Sequence, residues 1–293
     1  MMKPSSLIEK KHCLKRALEQ YGSLLVAFSG GVDSSFLLSY AVEILGQHVV
    51  AVTADSPLHP NREKAEAARY ARKLGVRYVV VKTNELESPD FTANPVNRCY
   101  ICKKNLFERF LQIAASMGIQ YVAHGANVDD LSDFRPGHAA TRELGIVAPL
   151  IDAGLTKADI RELSKQMHLE TWNKPSMACL ASRIPYGNRI TRQALEMIDS
   201  AENYLLDSGL RTCRVRHHGD LARIEVSPDD VERMVTGNVR REIVQRFREI
   251  GYLYVTLDLE GYSQGSMNRA VCVDEHSLVP GLRSKGPESG NEE

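Results

Sequence analysis

Three groups of residues in this 293-residue chain combine reactive side chains with telling spacing. The first is Phe28-Ser29-Gly30-Gly31-Val32-Asp33-Ser34-Ser35, set between an apolar run at 24–28 and a helix-like run at 36–45. Glycines let the backbone approach an oxyanion without Cβ clash, and the free N–H groups and dipole of a helix's first turn hold its charge. No lysine follows the glycines, so this is not the Walker loop G-x-x-x-x-G-K-[ST]. The second group is Cys99-Tyr100-Ile101-Cys102, at the start of a helix beside Arg98, Lys103 and Lys104. Those cations should depress the thiol pKa values and suit the pair to metal binding or redox chemistry. The third is the segment 172–187, too polar and proline-broken for a regular element, which holds the only tryptophan, Lys174, Arg183 and Cys179. Long irregular segments of this kind usually carry function. A structural zinc site wants four ligands, and no second C-x-x-C exists. Cys213 and Cys272 stand alone, while His217 and His218, adjacent on a strand, point to opposite faces. Cys179 is therefore the thiol expected to join the pair. Arg214 and Arg216, two apart on a strand, project to one face.

The elements that position these groups follow from periodicity. Residues 12–21 read as a helix with Cys13, Leu14, Ala17 and Leu18 on one face, ended by Gly22. Strands are expected at 24–28, 49–53, 76–81 and 120–124, with a fifth short apolar stretch at 147–151. Asn61 is positioned to cap a helix through Leu74, closed by Gly75, and Gly118 ends another at 106–117. Thr156-Lys157-Ala158-Asp159 fits a capping box. Strands alternating with helices at this spacing predict an α/β fold, a doubly wound parallel sheet covered on both faces. Ligands in such sheets sit beyond the carboxyl ends of the strands. The lining loops are then 28–35, the loop with Thr53, Ala54, Asp55 and Ser56, and Gly125-Ala126-Asn127-Val128-Asp129-Asp130, followed by Asp133 and Arg135. After Gly187 the pattern changes. A long amphipathic helix at 191–206, ended by Gly209, precedes strands at 212–217 and 221–226, helices near Pro228 and at 239–250, and a strand at 252–259. This is a second, smaller α+β domain with a small antiparallel sheet. The expected division is 1–170, a cysteine-bearing linker at 171–188, 189–272, and a tail at 273–293 too poor in apolar surface to order itself.

Composition narrows the class. Lys+Arg and Asp+Glu balance at 37 each and 43% of residues are hydrophobic, so no global basic field favours nucleic acid. No apolar run approaches the roughly 20 residues that span a bilayer, and residues 1–11 lack a signal-peptide core. A cytoplasmic protein is expected, its six cysteines serving as thiols, metal ligands or catalytic groups rather than disulfides.

The pattern S-G-G-x-D-S-S at Ser29 to Ser35 resembles the PP-loop of the ATP pyrophosphatases, which cleave ATP between the α and β phosphates and leave AMP on a substrate oxygen. G-A-N-x-D-D resembles that superfamily's second motif, near the adenylate. The resemblance implies that Ser29, Gly30, Gly31, Asp33, Ser34 and Ser35 bind ATP phosphates and metal, while Ala54, Ser56 and Gly125 line the adenosine. Carboxylates beside a triphosphate suit Mg²⁺, with Asp33 and either Asp129 or Asp130 as candidates; a loop aspartate that only caps a turn is the alternative. Asp129 is assigned the place near the activated phosphate.

Taken with R-C-Y-x-C-K at 98–103, D-F-R-P-G at 133–137, the Cys179 segment, R-V-R at 214–216, 254–259 and Gly265-Ser266-Met267-Asn268, the chain is similar to the LarE family over about residues 22–268. These are ATP-dependent sulfur transferases that build the nickel-pincer cofactor of lactate racemase. The resemblance implies that MgATP adenylates a carboxylate of pyridinium-3,5-biscarboxylic acid mononucleotide and that sulfur replaces the activated oxygen. Some members give up the sulfur of a single cysteine; others hold a four-iron four-sulfur cluster on three. Here Cys99 and Cys102 are present, and Ala178 stands where single-cysteine members have the sacrificial residue. The cluster route with Cys99, Cys102 and Cys179 as ligands is therefore favoured, a sacrificial Cys179 and a structural C-x-x-C remaining open. Arg214 and Arg216 match arginines that contact phosphate, Glu202 lies in the region of an acidic, metal-associated residue, and Ser182 and Arg183 shape the sulfur-transfer pocket. A homo-oligomer formed through the C-terminal domain is implied as well. The competing readings are a tRNA thiolase, supported by a basic patch at Arg211, Arg214, Arg216 and Arg223, an amidating synthetase, which needs no thiols, and a non-catalytic nucleotide-binding module.

Overall fold

The computed structural model describes residues 6–131, 137–175 and 178–263. Helix α1 (Leu7–Tyr21) leads into β1 (Leu24–Ala27), α2 (Val32–Leu45), β2 (Val49–Asp55), α3 (Asn61–Leu74) and β3 (Arg77–Lys82). Then come α4 (Pro89–Thr92), α5 (Arg98–Ser116), β4 (Tyr121–His124), α6 (Gly137–Glu143), α7 (Pro149–Asp152) and α8 (Lys157–Gln166). The first sheet has the order β3-β2-β1-β4, and every pairing is parallel. Leu24 and Val26 point into a core with α1, α2 and α8, while Leu25, Val50 and Val52 meet Phe107 and Phe110 of α5 on the other face. Strands buried on both faces need no alternation, which is why β1 reads as a continuous apolar run.

Several boundaries depart from the sequence reading for local reasons. Pro60, not Asn61, is the N-cap of α3, and the Asn61 side chain reaches Asp199 at 3.5 Å instead. Helix α5 starts at Arg98, well before the apolar run at 106, so the C-x-x-C forms its first turn. The fifth apolar stretch makes a single bridge, Val147 to Ala123. Pro149 has no N–H to continue a ladder, and the chain turns into α7 there. The capping box at Thr156 and Asp159 is present.

The second unit contains α9 (Arg192–Asp207), β5 (Cys213–His218), β6 (Leu221–Val226), α10 (Pro228–Val235), α11 (Gly237–Ile250) and β7 (Tyr254–Leu257). Its sheet is mixed rather than antiparallel, since β5 and β6 run antiparallel but β7 joins β6 in parallel. Helices α10 and α11 form the crossover that returns the chain to the same end of the sheet, as a parallel pair requires. Its core gathers Ala201, Leu205, Val215, Ile224, Phe247 and Tyr252, separate from those of the first sheet. Cys213 is buried in it, and Cys13 packs against the core of the first sheet. No helix among the described residues is long and apolar enough to cross a membrane.

Candidate active site

The turn between β1 and α2 is stitched by its own hydroxyls. Ser34 Oγ lies 3.0 Å from Ser29 Oγ, donates to the Gly31 carbonyl and accepts from the Ser29 amide. Gly31 is the N-cap of α2 and no side chain caps the first turn, so its amides remain open for an anion. Gly30 has φ +75°, and a Cβ there would meet Ala67 of α3 at 3.1 Å. Gly125, just past β4, lies against the same helix start, where a Cβ would come within 2.8 Å of the Ser34 amide nitrogen. The result is a cradle with no room for a side chain at Gly30 or Gly125. Ser35 lies deeper, fully buried, its hydroxyl without a partner.

Carboxylates converge beside this cradle. Asp33 takes the ammonium of Lys157 at 2.5 Å and the side-chain amide of Asn127 at 3.4 Å. The amide of Lys157 donates to Asp129 Oδ2 at 2.8 Å, so one residue ties Asp33 to Asp129. Asp130 Oδ2 accepts from the Asn127 amide at 3.0 Å and closes the turn, the capping role weighed for it above. Lys157 was missed as a site residue, although a signal was present: a cation in a helix's first turn opposes the macrodipole unless an acid holds it there. Ala54 is buried at the end of β2, while Ser56 does not line an open site. Its hydroxyl is enclosed, donating to Glu85 Oε2 at 2.8 Å and accepting from the Leu58 amide.

The thiols come from distant stretches. Cys99 and Cys102 share one face of the first turn of α5, three residues apart. Cys179 precedes a short turn, Leu180–Arg183, that is pinned where the Leu180 amide donates to the Leu58 carbonyl at 2.8 Å. Cys102 and Cys179 pack against the same apolar group, which includes Leu58, Phe91, Leu180 and Ile184. For Cys102 the expected depression of thiol pKa does not occur. Burial pushes Cys179 up to about 11, and the neighbouring Cys99 adds to it. Burial also raises Cys102, where Cys179 and Glu85 add charge repulsion. At Cys102 desolvation outweighs the neighbouring Lys103, whereas Cys99 is exposed. Among the described residues no group of three or more His, Cys, Asp or Glu side chains is gathered closely enough to hold a metal ion.

Arg183 is the clamp beneath this turn. It is fully buried and donates to the carbonyls of Ala178 at 2.6 Å and Cys179 at 3.1 Å, and to Ser182 Oγ at 3.0 Å. Its other edge meets Glu202 of α9 in two bonds of 2.9 Å. Glu202 also accepts from the Val215 amide at 3.0 Å, so the carboxylate expected near a metal is engaged in a buried ion pair. Arg214 and Arg216 are buried rather than solvated. Arg216 pairs with Glu225 at 2.6 Å and donates to the Ser182 carbonyl at 3.2 Å. Arg214 lies over the ring of Tyr262, and burial together with nearby Arg183 lowers its pKa. Arg223 pairs with Glu225 and Asp258, so two of the four arginines considered for RNA, Arg216 and Arg223, are engaged in ion pairs, while Arg211 is exposed.

Lys174 joins the two halves. Its ammonium donates to the Gly30 carbonyl at 3.1 Å and pairs with Glu66 at 2.9 Å. Arg161 of α8 holds the same segment through the carbonyls of Trp172 and Lys174. Glu63 of α3 faces Lys174, Arg183 and Arg214, with one buried oxygen that accepts no hydrogen bond, and burial raises its carboxyl pKa. Sequence reasoning missed Glu63, since nothing marks it among the other charges of α3. Asp133, Arg135, Cys272 and residues 265–268 lie outside the described residues, as does the tail.

Residues 10–95 match the family model described as Asparagine synthase. An uncharacterised protein of Synechocystis is 41% identical over 90% of this chain and 99% of its own length. The pyridinium-3,5-bisthiocarboxylic acid mononucleotide synthase of Lactiplantibacillus plantarum is 35% identical over 90% of this chain and 95% of its own. An uncharacterised protein of Methanocaldococcus jannaschii is 30% identical over 87% of this chain and 96% of its own.

Proposed function

The chain belongs to the LarE family of ATP-dependent sulfur transferases, and from that premise we propose that it makes a thiocarboxylate from pyridinium-3,5-biscarboxylic acid mononucleotide. A substrate carboxylate attacks the α phosphorus of ATP, the bond to the β phosphate breaks, and pyrophosphate leaves. Sulfur then attacks the acyl carbon, the C–O bond to AMP breaks, and the proton of the incoming sulfur goes to solvent. The observation that carries this reading is Lys174, which brings the segment bearing Cys179 onto the carbonyl of Gly30. In this reading the nucleotide loop and the thiol segment serve one reaction.

In this reading the open amides of α2, with Gly30 and Gly31, hold pyrophosphate. Asp33 and Asp129, already tied together by Lys157, would hold Mg²⁺ with the phosphates. Arg214, buried near Arg183, would offer positive charge to the mononucleotide phosphate. Ser182 and Arg183 shape the turn that presents Cys179.

Cys99, Cys102 and Cys179 would hold a four-iron four-sulfur cluster, whose iron would take up the buried thiols as thiolates. When bound, that cluster supplies an iron-held sulfide for transfer. Burial raises the pKa of Cys179, so a sacrificial role for it as a free thiol would need a partner that takes its proton. The C-terminal unit, which exposes Leu253, Tyr254 and Leu259, is assigned the contact between copies. The deciding experiment is iron and acid-labile sulfide per chain after anaerobic reconstitution, for wild type and for Cys99→Ala, Cys102→Ala and Cys179→Ala. About four irons per chain, lost in each variant, is the expected result. An iron-free wild type that loses the mass of H₂S from Cys179 in one turnover would sink the cluster reading.

A further inference from the structure

We propose that Asn94 and Arg98 are positioning residues that lock the C-x-x-C turn of α5 onto the Cys179 loop and so hold Cys179 on the same side of the chain as the pair before any cofactor binds. The purpose given to this lock rests on the sulfur-transfer reading above; its geometry does not.

Asn94 is wholly buried and has φ +57°, in the left-handed region that ordinarily favours glycine. Its side-chain amide donates to the carbonyls of Ile184 at 3.3 Å, Pro185 at 2.8 Å and Asn188 at 2.9 Å. These carbonyls belong to an irregular loop, where no helix or strand would satisfy them. Glycine would serve the backbone angle but could not do this. The other end of the same side chain accepts from Arg98 Nη1 at 2.7 Å. Arg98 is the first residue of α5 and precedes Cys99 directly; its buried guanidinium lies 4.2 Å from the ring centre of Tyr186. Two backbone bonds continue the seam, from the Gly187 amide to the Asn94 carbonyl and from the Ile190 amide to the Thr92 carbonyl.

The seam thus ties the stretch just before Cys99 to the stretch just after Arg183, the residue that holds the Cys179 carbonyl. Residues 93–97 and 184–191 form no helix or strand, and the buried amide joins them. Left-handed backbone at a non-glycine residue persists where its surroundings over-determine it, and such positions gather at functional sites.

The test uses the full chain, anaerobic and iron-free, treated with dibromobimane, which becomes fluorescent on bridging two nearby thiols. Peptide masses separate Cys179 bridges to Cys99 or Cys102 from the Cys99-to-Cys102 bridge. The latter lies within one helical turn and is an internal control that a general loosening of the loop would not move. In Asn94→Asp, which removes the amide donor and sets charge against three carbonyls, the ratio of Cys179 bridges to the control should fall at least tenfold, with ATP-dependent pyrophosphate release retained. Arg98→Lys, which leaves the Asn94 bonds to the loop in place, should lower it less and serves in its stead if Asn94→Asp does not fold. An unchanged ratio in folded variants overturns the proposal. If wild type takes up no iron but the ratio still depends on Asn94, the cluster reading fails and the lock stands. If wild type binds iron while the ratio ignores Asn94 and Arg98, the lock fails and the cluster stands.

Discussion

The phosphate cradle takes most of its shape from consecutive residues, 28–35, whose hydroxyls bond to their own neighbours and whose helix amides point outward unaided. The thiol site instead needs 94–102, 178–188 and 202–216, and its hydrogen bonds span tens of residues. The first can be written locally because it binds with backbone; the second presents side chains from distant stretches, and charges far from water hold them. Substitutions in the cradle should therefore cost catalysis at little cost in stability. Substitutions beneath the thiols should cost stability and sulfur transfer together.

The strongest challenge to this contrast is Glu202→Gln, which leaves Arg183 charged and enclosed. Removing one member of a buried pair costs about 3–5 kcal/mol, measurable as a lower urea midpoint at unchanged slope. A loss below about 1 kcal/mol, the worth of a surface pair, would show that the clamp is not what holds the Cys179 turn. Asp33→Asn should behave in the opposite way. Since even outer partners of a bound metal are worth about 10–100-fold, pyrophosphate release should drop at least about 100-fold. Stability should change by no more than about 1 kcal/mol, because the pair with Lys157 is partly exposed. Normal release from this variant would remove Asp33 from the site.

Gly125→Ala tests the one place where the cradle depends on a distant strand. A Cβ 2.8 Å from the Ser34 nitrogen must shift the start of α2. Calorimetry should show weaker nucleotide binding, with an overpacking cost of about 1–3 kcal/mol. The effect that is read as a slope rather than a single loss concerns His124, beside that glycine. Burial, with Lys103 and His138 adding to it, lowers its pKa to about 3, so it stays neutral in the folded chain. Unfolded, it takes up a proton near 6.5. Between those values unfolding binds a proton, so stability falls as pH drops, by about 1.4 kcal/mol per unit. Stability measured from pH 6.5 downward should slope less steeply in His124→Gln; an identical slope would show that His124 is not held neutral.

The layered α/β order was legible in the sequence because apolar runs and glycine stops are local signals, and strands β1 to β4 lie close to where periodicity sets them. Where Pro149 ends a ladder after one bridge, or α10 and α11 turn an expected antiparallel strand parallel, the outcome depends on connections that no window of sequence displays. The site divides in the same way. The phosphate loop and the three cysteines could be named from residue type and spacing. Lys157, Glu63, Asn94 and the Arg183–Glu202 pair could not be recognised as a set, because each is an ordinary polar residue until folding gives it a partner or takes its water away.

The sequence by itself therefore determined the chemistry on offer: a helix start that binds an oxyanion through backbone N–H groups, and thiols spaced to work together. Tertiary structure decided which of these groups are charged and which way they face. Burial reversed the expected direction of the Cys102 pKa and drew Arg216 and Arg223 of the supposed basic patch into ion pairs. The physical reason is that backbone donors act through geometry a few residues long, whereas the state of a thiol or a guanidinium depends on how much water and what charge surround it. Residues far along the chain supply both.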